Sequence, residues 1–270
     1  MKHRHNSIVF KGIILLSSVV YVQQASAADN TSLAKAAQNP LATMVTLPLQ
    51  ANYNLDFGAN DRTLFNLNVQ PVVPIVGEDW NVIIRTIIPV NSVPQGANDS
   101  TFGVGDTNLS MFWSPAKAGK VTWGVGPSFG LPTASDPQNL GSEKFSVGPT
   151  GIVFYSTGHW TLGGVVSNLW SVGGSDSRAD INQLNLQYFV NYNLGDGWAV
   201  GSAPNLTANW EANSDNTWTI PWGLQVSKIA RIGSQPVNLL LGYYNNSDHP
   251  DGAAEAQVRL QLNFLFPTGK

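Results

Sequence analysis

The sequence predicts an all-β fold, a transmembrane antiparallel up-and-down β-barrel of about twelve strands with both termini on the periplasmic side. Three observations predict it: an export signal at the N-terminus, a low content of charged residues, and an apolar/polar alternation that returns about every twenty residues. Alternation with a period of two indicates a strand with different surroundings on its two faces. Such a strand suits a wall with lipid on one side and confined water on the other.

The N-terminus has the three parts of a secretory signal. Lys2, Arg4 and Lys11 are the cations of its first part, which contains no acid. An apolar run follows over residues 13–22, and a small-x-small cleavage site ends at Ala27. The run is too short to cross a bilayer as a helix. A buried N-terminal helix, the alternative, would not need these three parts in this order.

These parts divide the chain into three regions. We predict a cleaved signal peptide over residues 1–27, a short periplasmic segment over residues 28–40, and the barrel over residues 41–270. The sequence leaves open whether residues 28–40 enter the barrel as a plug. Beyond the signal, no apolar run approaches the roughly 20 residues that a membrane-spanning helix needs.

Composition favours a membrane barrel over a soluble periplasmic protein. Charged residues are 11% of the chain, whereas soluble domains usually contain roughly 25%. The chain has no cysteine, which excludes disulfides, thiolate metal sites and a catalytic thiol. Removal of the three signal cations makes the net charge of −3 still more negative. We therefore expect no nucleic acid as a partner.

The first four predicted strands alternate clearly. Residues 47–57 alternate Leu, Ala and Tyr with Gln, Asn and Asp, and residues 64–75 alternate Phe, Leu and Val with Asn and Gln. A Gly-Glu-Asp turn leads into the third strand, residues 80–90, and the fourth strand covers residues 105–113. Their polar faces carry neutral amides instead of the Lys and Glu of a soluble surface, which indicates a confined aqueous interior.

The middle of the chain supplies four more strands. Residues 121–131, 145–155 and 160–172 are rich in glycine and alternate more weakly. Residues 181–194 give the clearest alternation in the chain, and Phe189 is its only break. Glycine within these strands relieves curvature and crowding, and no helix follows it that could hold a phosphate.

Four further segments complete the barrel, over residues 198–210, 218–227, 237–245 and 255–266. An even number of strands places both termini on the same side of the membrane. The last strand ends on the aromatic Phe266 and resembles the assembly signal of bacterial outer membrane proteins. We therefore predict the barrel-assembly machinery and outer-membrane lipid as partners.

The connections alternate in length, as they do in outer-membrane barrels. The short ones lie at residues 77–79, 115–120, 157–159, 195–197 and 231–235. The longer ones lie at residues 91–101, 133–143, 173–180, 211–217 and 247–254. The first hairpin, around Gly58, has the one short connection on the long-loop side.

Tryptophan placement predicts two aromatic girdles, because bilayer interfaces favour a side chain with an apolar body and one polar edge. One group lies beside short turns: Trp80, Trp113, Trp123, Trp160 and Trp198. The other lies beside long loops: Trp170, Trp210 and Trp218. Only Trp222 falls clearly inside a strand.

Several runs resemble one known family. They are Trp80-Asn-Val-Ile-Ile-Arg-Thr-Ile-Ile-Pro89, Gly103-Val-Gly-Asp106, Ser114-Pro-Ala-Lys117, Trp123-Gly-Val-Gly-Pro127, Pro132-Thr-Ala-Ser-Asp136 and Phe264-Leu-Phe-Pro267. Across nearly the whole mature chain, the sequence is similar to outer-membrane transporters of the phenol meta-pathway degradation type. Their frequent label "neuromedin U" has no support in these residues. The resemblance implies a barrel with a transport role and, through the family name alone, hydrophobic or aromatic solutes.

The predicted lumen is nearly uncharged. Its few charged residues, which we take as constriction candidates, are Asp56, Arg85, Asp106, Glu211 and Arg259. We predict two ion pairs, Asp56 with Arg259 on the first and last strands, and Arg85 with Asp106 on the third and fourth. These pairs would form either a solute-selecting constriction or a salt-bridge plug that merely satisfies buried charge.

The leading functional hypothesis is a passive channel or facilitator for small solutes in the bacterial outer membrane, with no enzymatic activity. An outer-membrane lipid hydrolase would need a serine beside a histidine near the outer leaflet, and His249 is the sole candidate. A structural or adhesive barrel is the third hypothesis. The mature chain has only His159 and His249 as histidines, so we expect no metal site and no cofactor.

Overall fold

A computed structural model describes residues 27–117 and 119–267. Twelve antiparallel strands form one closed barrel, with each strand paired to its neighbours in sequence. The strands are β1 Val45–Phe57, β2 Arg62–Val69 and Val72–Ile75, β3 Trp80–Gln95, β4 Asp99–Val104 and Thr107–Pro115, β5 Val121–Leu131, β6 Lys144–Thr157, β7 Trp160–Gly174, β8 Asn182–Gly195, β9 Trp198–Ser202 and Asn205–Asn209, β10 Trp218–Ile232, β11 Gln235–Asp248 and β12 Ala256–Phe266. Apart from Ala27, the predicted signal peptide lies outside the described residues.

The barrel closes through the pairing of β1 with β12. This ladder runs from Val45 opposite Phe266 to Leu55 opposite Ala256. Closure leaves no strand edge with unpaired amide groups, which a bilayer would not tolerate. The predicted fold class and strand number are therefore confirmed.

Three strands are interrupted, each where the chain loses or redirects a backbone hydrogen bond. β2 breaks at Pro71 and β9 breaks at Pro204, because proline has no N–H to donate to the ladder. β4 breaks between Val104 and Thr107, where the N–H of Gly105 donates to the carbonyl of Pro89 at 2.8 Å. Beside Pro71 the backbone groups still pair with backbone, since the N–H of Thr86 donates to the carbonyl of Pro71, whereas the break in β9 leaves Ala203 to side chains.

One predicted long loop, at residues 91–101, is wrong. β3 continues to Gln95 and pairs with β4 from Asp99, so the connection is a tight turn in which Gly96 has a φ of +65°. The ladder hydrogen bonds of this hairpin continue after the apolar/polar alternation has ended. β10 and β11 also extend past their predicted bounds, to Ile232 and Asp248.

The outer wall carries most of the large apolar side chains. Eight tryptophans are at least 41% exposed: Trp80, Trp113, Trp123, Trp160, Trp170, Trp198, Trp210 and Trp222. Trp218 is half-buried because it packs edge-on against Trp210, with ring centroids 5.4 Å apart. The role of the two end groups as interface girdles stays a prediction. Within the described residues, no helix has the length and apolar character to span a bilayer.

A helix fills the short-turn end of the barrel. Helix α1, Ala27–Gln38, buries Ala34 against Met44, Ile229 and Leu265. Leu41 follows the helix and enters the barrel. A short helix α2, Pro137–Leu140, and a 3-10 helix, Ser214–Asn216, lie in the connections at the opposite, long-loop end.

Polar contacts fix α1 to three places on that end. Asn30 donates to the carboxylate of Asp196 at 3.2 Å, and Lys35 donates to the carbonyl of Gly158 at 2.7 Å. Gln38 contacts the side chains of Asn193 and Thr161. Hydrogen bonds to Asp196 from Lys228 and then from Asn30 hold the pKa of that carboxyl below its usual range.

Candidate functional site

The interior contains a polar cavity of about 710 Å³ in the half nearer the long loops. Fourteen neutral amide side chains line it: Gln50, Asn52, Asn54, Asn66, Asn68, Gln70, Asn91, Asn108, Gln183, Asn185, Gln187, Asn205, Asn246 and Gln257. They come from inward positions of many strands, because alternate residues of a strand face the same side. The lining contains four charged residues: Arg85, Asp106, Lys144 and Arg259.

An apolar layer lies beneath this cavity. Leu41 packs there against Ile83, Phe112 and Ile152. Val165 lines the cavity and also packs against this cluster, so the two regions are adjacent. The interior therefore has a polar cavity toward the long loops and an apolar layer below it.

Phe189, the break in the alternation of β8, belongs to the apolar side. It is buried and packs against Phe154, with ring centroids 6.2 Å apart. Its ring also fills the space beside Gly163, where a Cβ would overlap it. Phe189 thus places an aromatic ring on the otherwise polar face of β8, and Asn191 and Asn193 follow it on that face toward α1.

Arg259 crosses several strands from its place on β12. Its Nε donates to Asn52 on β1 at 3.2 Å, and its Nη2 donates to Gln257 at 2.9 Å. Its Nη1 donates at 3.0 Å to the carbonyl of Ala203 on β9, three strands away. The guanidinium also lies 4.8 Å from the ring centroid of Tyr244, a distance typical of a cation–π contact.

The break in β9 explains why these groups meet. Pro204 interrupts the ladder beside Ala203, and Ala203 then bonds to side chains. Its N–H donates to the hydroxyl of Tyr244 at 3.3 Å, while its carbonyl accepts from Arg259. The Tyr244 hydroxyl donates in turn to Gln225 at 2.8 Å. Side chains from β11 and β12 thus complete the backbone hydrogen bonds of β9 at Ala203.

Arg85 and Asp106 do not form the predicted ion pair. Arg85 lies opposite Ser110 in the ladder of β3 and β4, and Asp106 is four residues farther along β4. That offset corresponds to about 13 Å along a strand, too far for direct contact. Arg85 donates instead to Gln70 at 2.8 Å.

Asp106 holds the connection between β5 and β6 against the cavity. Its carboxylate accepts the N–H of Ser142 at 2.7 Å, the hydroxyl of Ser142 at 2.6 Å and the N–H of Ala134 at 3.2 Å. These are charge-assisted hydrogen bonds, which are stronger than neutral ones. Asp106 therefore positions a loop at the cavity mouth.

The predicted pair of Asp56 with Arg259 is also wrong. Arg259 lies opposite Asn52, and a bulge in β1 between Asn54 and Phe57 breaks the alternation before Asp56 is reached. Asp56 has a φ of +56° and is exposed. Glu211, the remaining candidate, is exposed in the connection after β9 and is not among the cavity-lining residues.

Lys144 is a lining residue that sequence reasoning missed. It is the first residue of β6 and is buried, and its Nζ lies 2.9 Å from the exposed carboxylate of Asp180. A hydrogen bond from Lys144, followed by one from Ser171, lowers the pKa of Asp180. Lys144 shares its face of β6 with Ser146 and Thr150, so extending the predicted strand by one residue would have found it.

The histidines do not form a catalytic group in the described part of the chain. The ring of His249 contacts the carbonyl of Pro250, and no serine bonds to it. His159 contacts the carbonyl of Asn193. No cluster of residues suited to a metal ion occurs among the described residues.

Comparisons with known proteins agree with this architecture. A family model described as "Putative MetA-pathway of phenol degradation" matches residues 65–262. A solved outer membrane channel from Pseudomonas putida F1 is similar, with a TM-score of 0.57 and 14% identity over 83% of this chain and 96% of that chain. Outer membrane phospholipase A from Escherichia coli has a TM-score of 0.45 and 14% identity over 87% and 98%, a likeness too weak to support an argument. None of the curated proteins matches the chain.

Proposed function

Because the chain belongs to the family of the phenol-degradation meta-pathway, we propose that it is a channel that lets small solutes cross the outer membrane. Its closed barrel and apolar outer wall belong to the bacterial outer membrane. The observation that carries the proposal is the cavity of about 710 Å³, which is large enough for a small organic molecule.

The two-layered interior suits a solute with a polar group and an apolar body. The amides supply donors and acceptors toward the long loops, and the layer around Phe112 and Ile152 supplies apolar contact below them. The family description, with its reference to phenol degradation, points to the same class of solute. We therefore include small hydrophobic or aromatic molecules in the proposal.

The short-turn end is closed by α1 and by Leu41, which packs across the lumen against β3, β4 and β6. Passage of a solute requires this segment to move. α1 is anchored by a few hydrogen bonds and small apolar contacts, which suits a reversible gate. The short turns face the periplasm in barrels of this kind, so the gate would lie on the periplasmic side.

The test is conductance of the refolded chain in planar bilayers, compared with Leu41→Ala. Truncation of Leu41 opens the apolar layer, so we expect a higher open fraction or at least about twofold higher conductance. Leu241→Ala, which faces lipid, is the matched control and should leave conductance unchanged. Absence of solute and ion passage through both wild type and Leu41→Ala would contradict the channel.

A further inference from the structure

Two cations that line the cavity have no carboxylate partner in the described part of the chain. Arg85 bonds only to Gln70, and Arg259 bonds only to neutral groups. Lys144 differs because Asp180 neutralises it. Asp106, the single carboxylate in the lining, is occupied by Ser142 and Ala134. The cavity wall therefore has an excess of positive charge on β3 and β12.

The amide network increases the number of donors that face the cavity. Arginine has no acceptor, so the oxygen of Asn52 must face Arg259 and its NH₂ group must point away. The Asn52 NH₂ then donates to Asn66 at 2.9 Å, and the Asn66 NH₂ donates to Asn68 at 3.1 Å and Asn91 at 2.8 Å. The chain of hydrogen bonds thus runs from Arg259 outward and ends with the NH₂ groups of Asn68 and Asn91.

Arg85 provides the most available donors. A guanidinium has five N–H groups, and only one of those on Arg85 has a protein partner, the oxygen of Gln70. Ile87, two residues farther along β3, lines the same cavity and offers an apolar surface beside it. Bidentate binding by a guanidinium is the usual way in which proteins hold a carboxylate.

We propose that the cavity binds small organic carboxylates, with the carboxylate on Arg85 and the apolar body toward Ile87 and Val165. This inference deepens the proposed channel by naming the charge of its solute. Burial of unpaired arginines is costly, and an anionic solute supplies the missing counter-charge. A neutral molecule of the same shape cannot do so, and therefore binds more weakly.

Calorimetry on the refolded full-length chain in detergent tests the binding, with benzoate and its neutral analogue benzyl alcohol as probes. We expect benzoate to bind more tightly than benzyl alcohol. Arg85→Gln removes a charge-assisted contact and should therefore lower the affinity for benzoate by at least about tenfold, with little effect on the affinity for benzyl alcohol. Arg62→Gln is the matched control, because Arg62 contacts the turn between β3 and β4 and does not line the cavity.

Arg259→Lys adds a second test, because it keeps the positive charge but loses the planar guanidinium. It should lower the affinity for benzoate less than Arg85→Gln does. Equal affinity for benzoate and benzyl alcohol, or equal loss in Arg62→Gln, would overturn the inference. Conductance in planar bilayers, measured beside benzoate binding, separates the two proposals. Conductance without benzoate binding would support the channel and contradict the anion site. Benzoate binding without conductance would support the anion site and contradict the channel.

Discussion

Tyr244 is the residue on which several interior contacts depend. It is 1% exposed, and its hydroxyl joins the broken strand β9 to Gln225 while its ring supports Arg259. A buried hydroxyl with two hydrogen-bond partners leaves both unsatisfied when it is removed. Its contribution is therefore to the stability of the barrel as well as to the shape of the cavity.

Tyr244→Phe should lower the free energy of unfolding by about 1–3 kcal/mol, because the Ala203 N–H and the Gln225 oxygen each lose a partner. Tyr243→Phe provides the control. Tyr243 is the next residue, 53% exposed on the outer wall, and its substitution should change stability by less than about 0.5 kcal/mol. Urea titration of both variants in vesicles, followed by tryptophan fluorescence, measures the difference. Equal effects would show that the hydroxyl contacts do not contribute.

At this scale the sequence predicts which face a residue occupies but not its partner. Arg85, Asp106 and Arg259, which alternation places on inward faces, line the cavity. It carries no information on register, which sets Arg85 four residues from the level of Asp106. The bulge in β1 that takes Asp56 out of the inward face is a backbone feature, and the apolar/polar alternation does not reveal it. The pairing of charged residues across strands can therefore be identified only once the register of the ladder is known.

Among the elements, β6 and β7 approach each other closely at Gly148. A Cβ built there would overlap the carbonyl oxygen of Asn168 on β7. A Cβ built at Gly151, three residues farther along β6, would meet no atom closer than 4.0 Å. The two glycines therefore have different roles in the same strand.

Gly148→Ala should destabilise the barrel by about 1–3 kcal/mol, because the strands must separate to admit the methyl group. For Gly151→Ala we expect a change within about 0.5 kcal/mol, or a slight gain, as alanine replaces a flexible residue without a clash. Urea midpoints for the two variants under identical lipid conditions measure this. If Gly151→Ala is the more damaging substitution, the close approach at Gly148 is not a determinant of stability.

The elements also show where sequence reasoning stops. Most strand bounds follow from the alternation, and β5 agrees at both ends with the predicted residues 121–131. The sequence leaves open whether residues 28–40 form a free tail or a plug, because nothing local in this segment distinguishes the two. Its position depends on contacts with Ile229, Leu265 and Asn193, which are distant in sequence.

The whole molecule combines an apolar exterior with an interior divided by depth. The outer wall is apolar and suits lipid, whereas the interior has a polar cavity near the long loops and an apolar layer below it. Composition alone indicates the first of these, since low charge is incompatible with a soluble surface. The division of the interior arises from where β3, β4, β6 and β8 place their inward aromatic and aliphatic residues.

Tryptophan depth tests the orientation of the whole barrel. Trp222 is 62% exposed on the outer wall and lies four residues from Trp218, the first residue of β10 at the long-loop end. Four residues of a strand tilted by roughly 40° descend about 10 Å, close to the middle of an apolar band about 25 Å tall. Trp170 lies at the long-loop end of β7, close to the predicted interface.

Lipids brominated deep in the acyl chain should therefore quench Trp222 most strongly. We expect Trp222→Phe to remove a larger share of deep quenching than of shallow quenching, whereas Trp170→Phe should do the opposite. Both substitutions retain an aromatic ring, so the barrel should still insert. A barrel embedded at another depth, or one whose β10 faces water, would give the two variants the same quenching ratio, and the assignment of this wall to the bilayer would then fail.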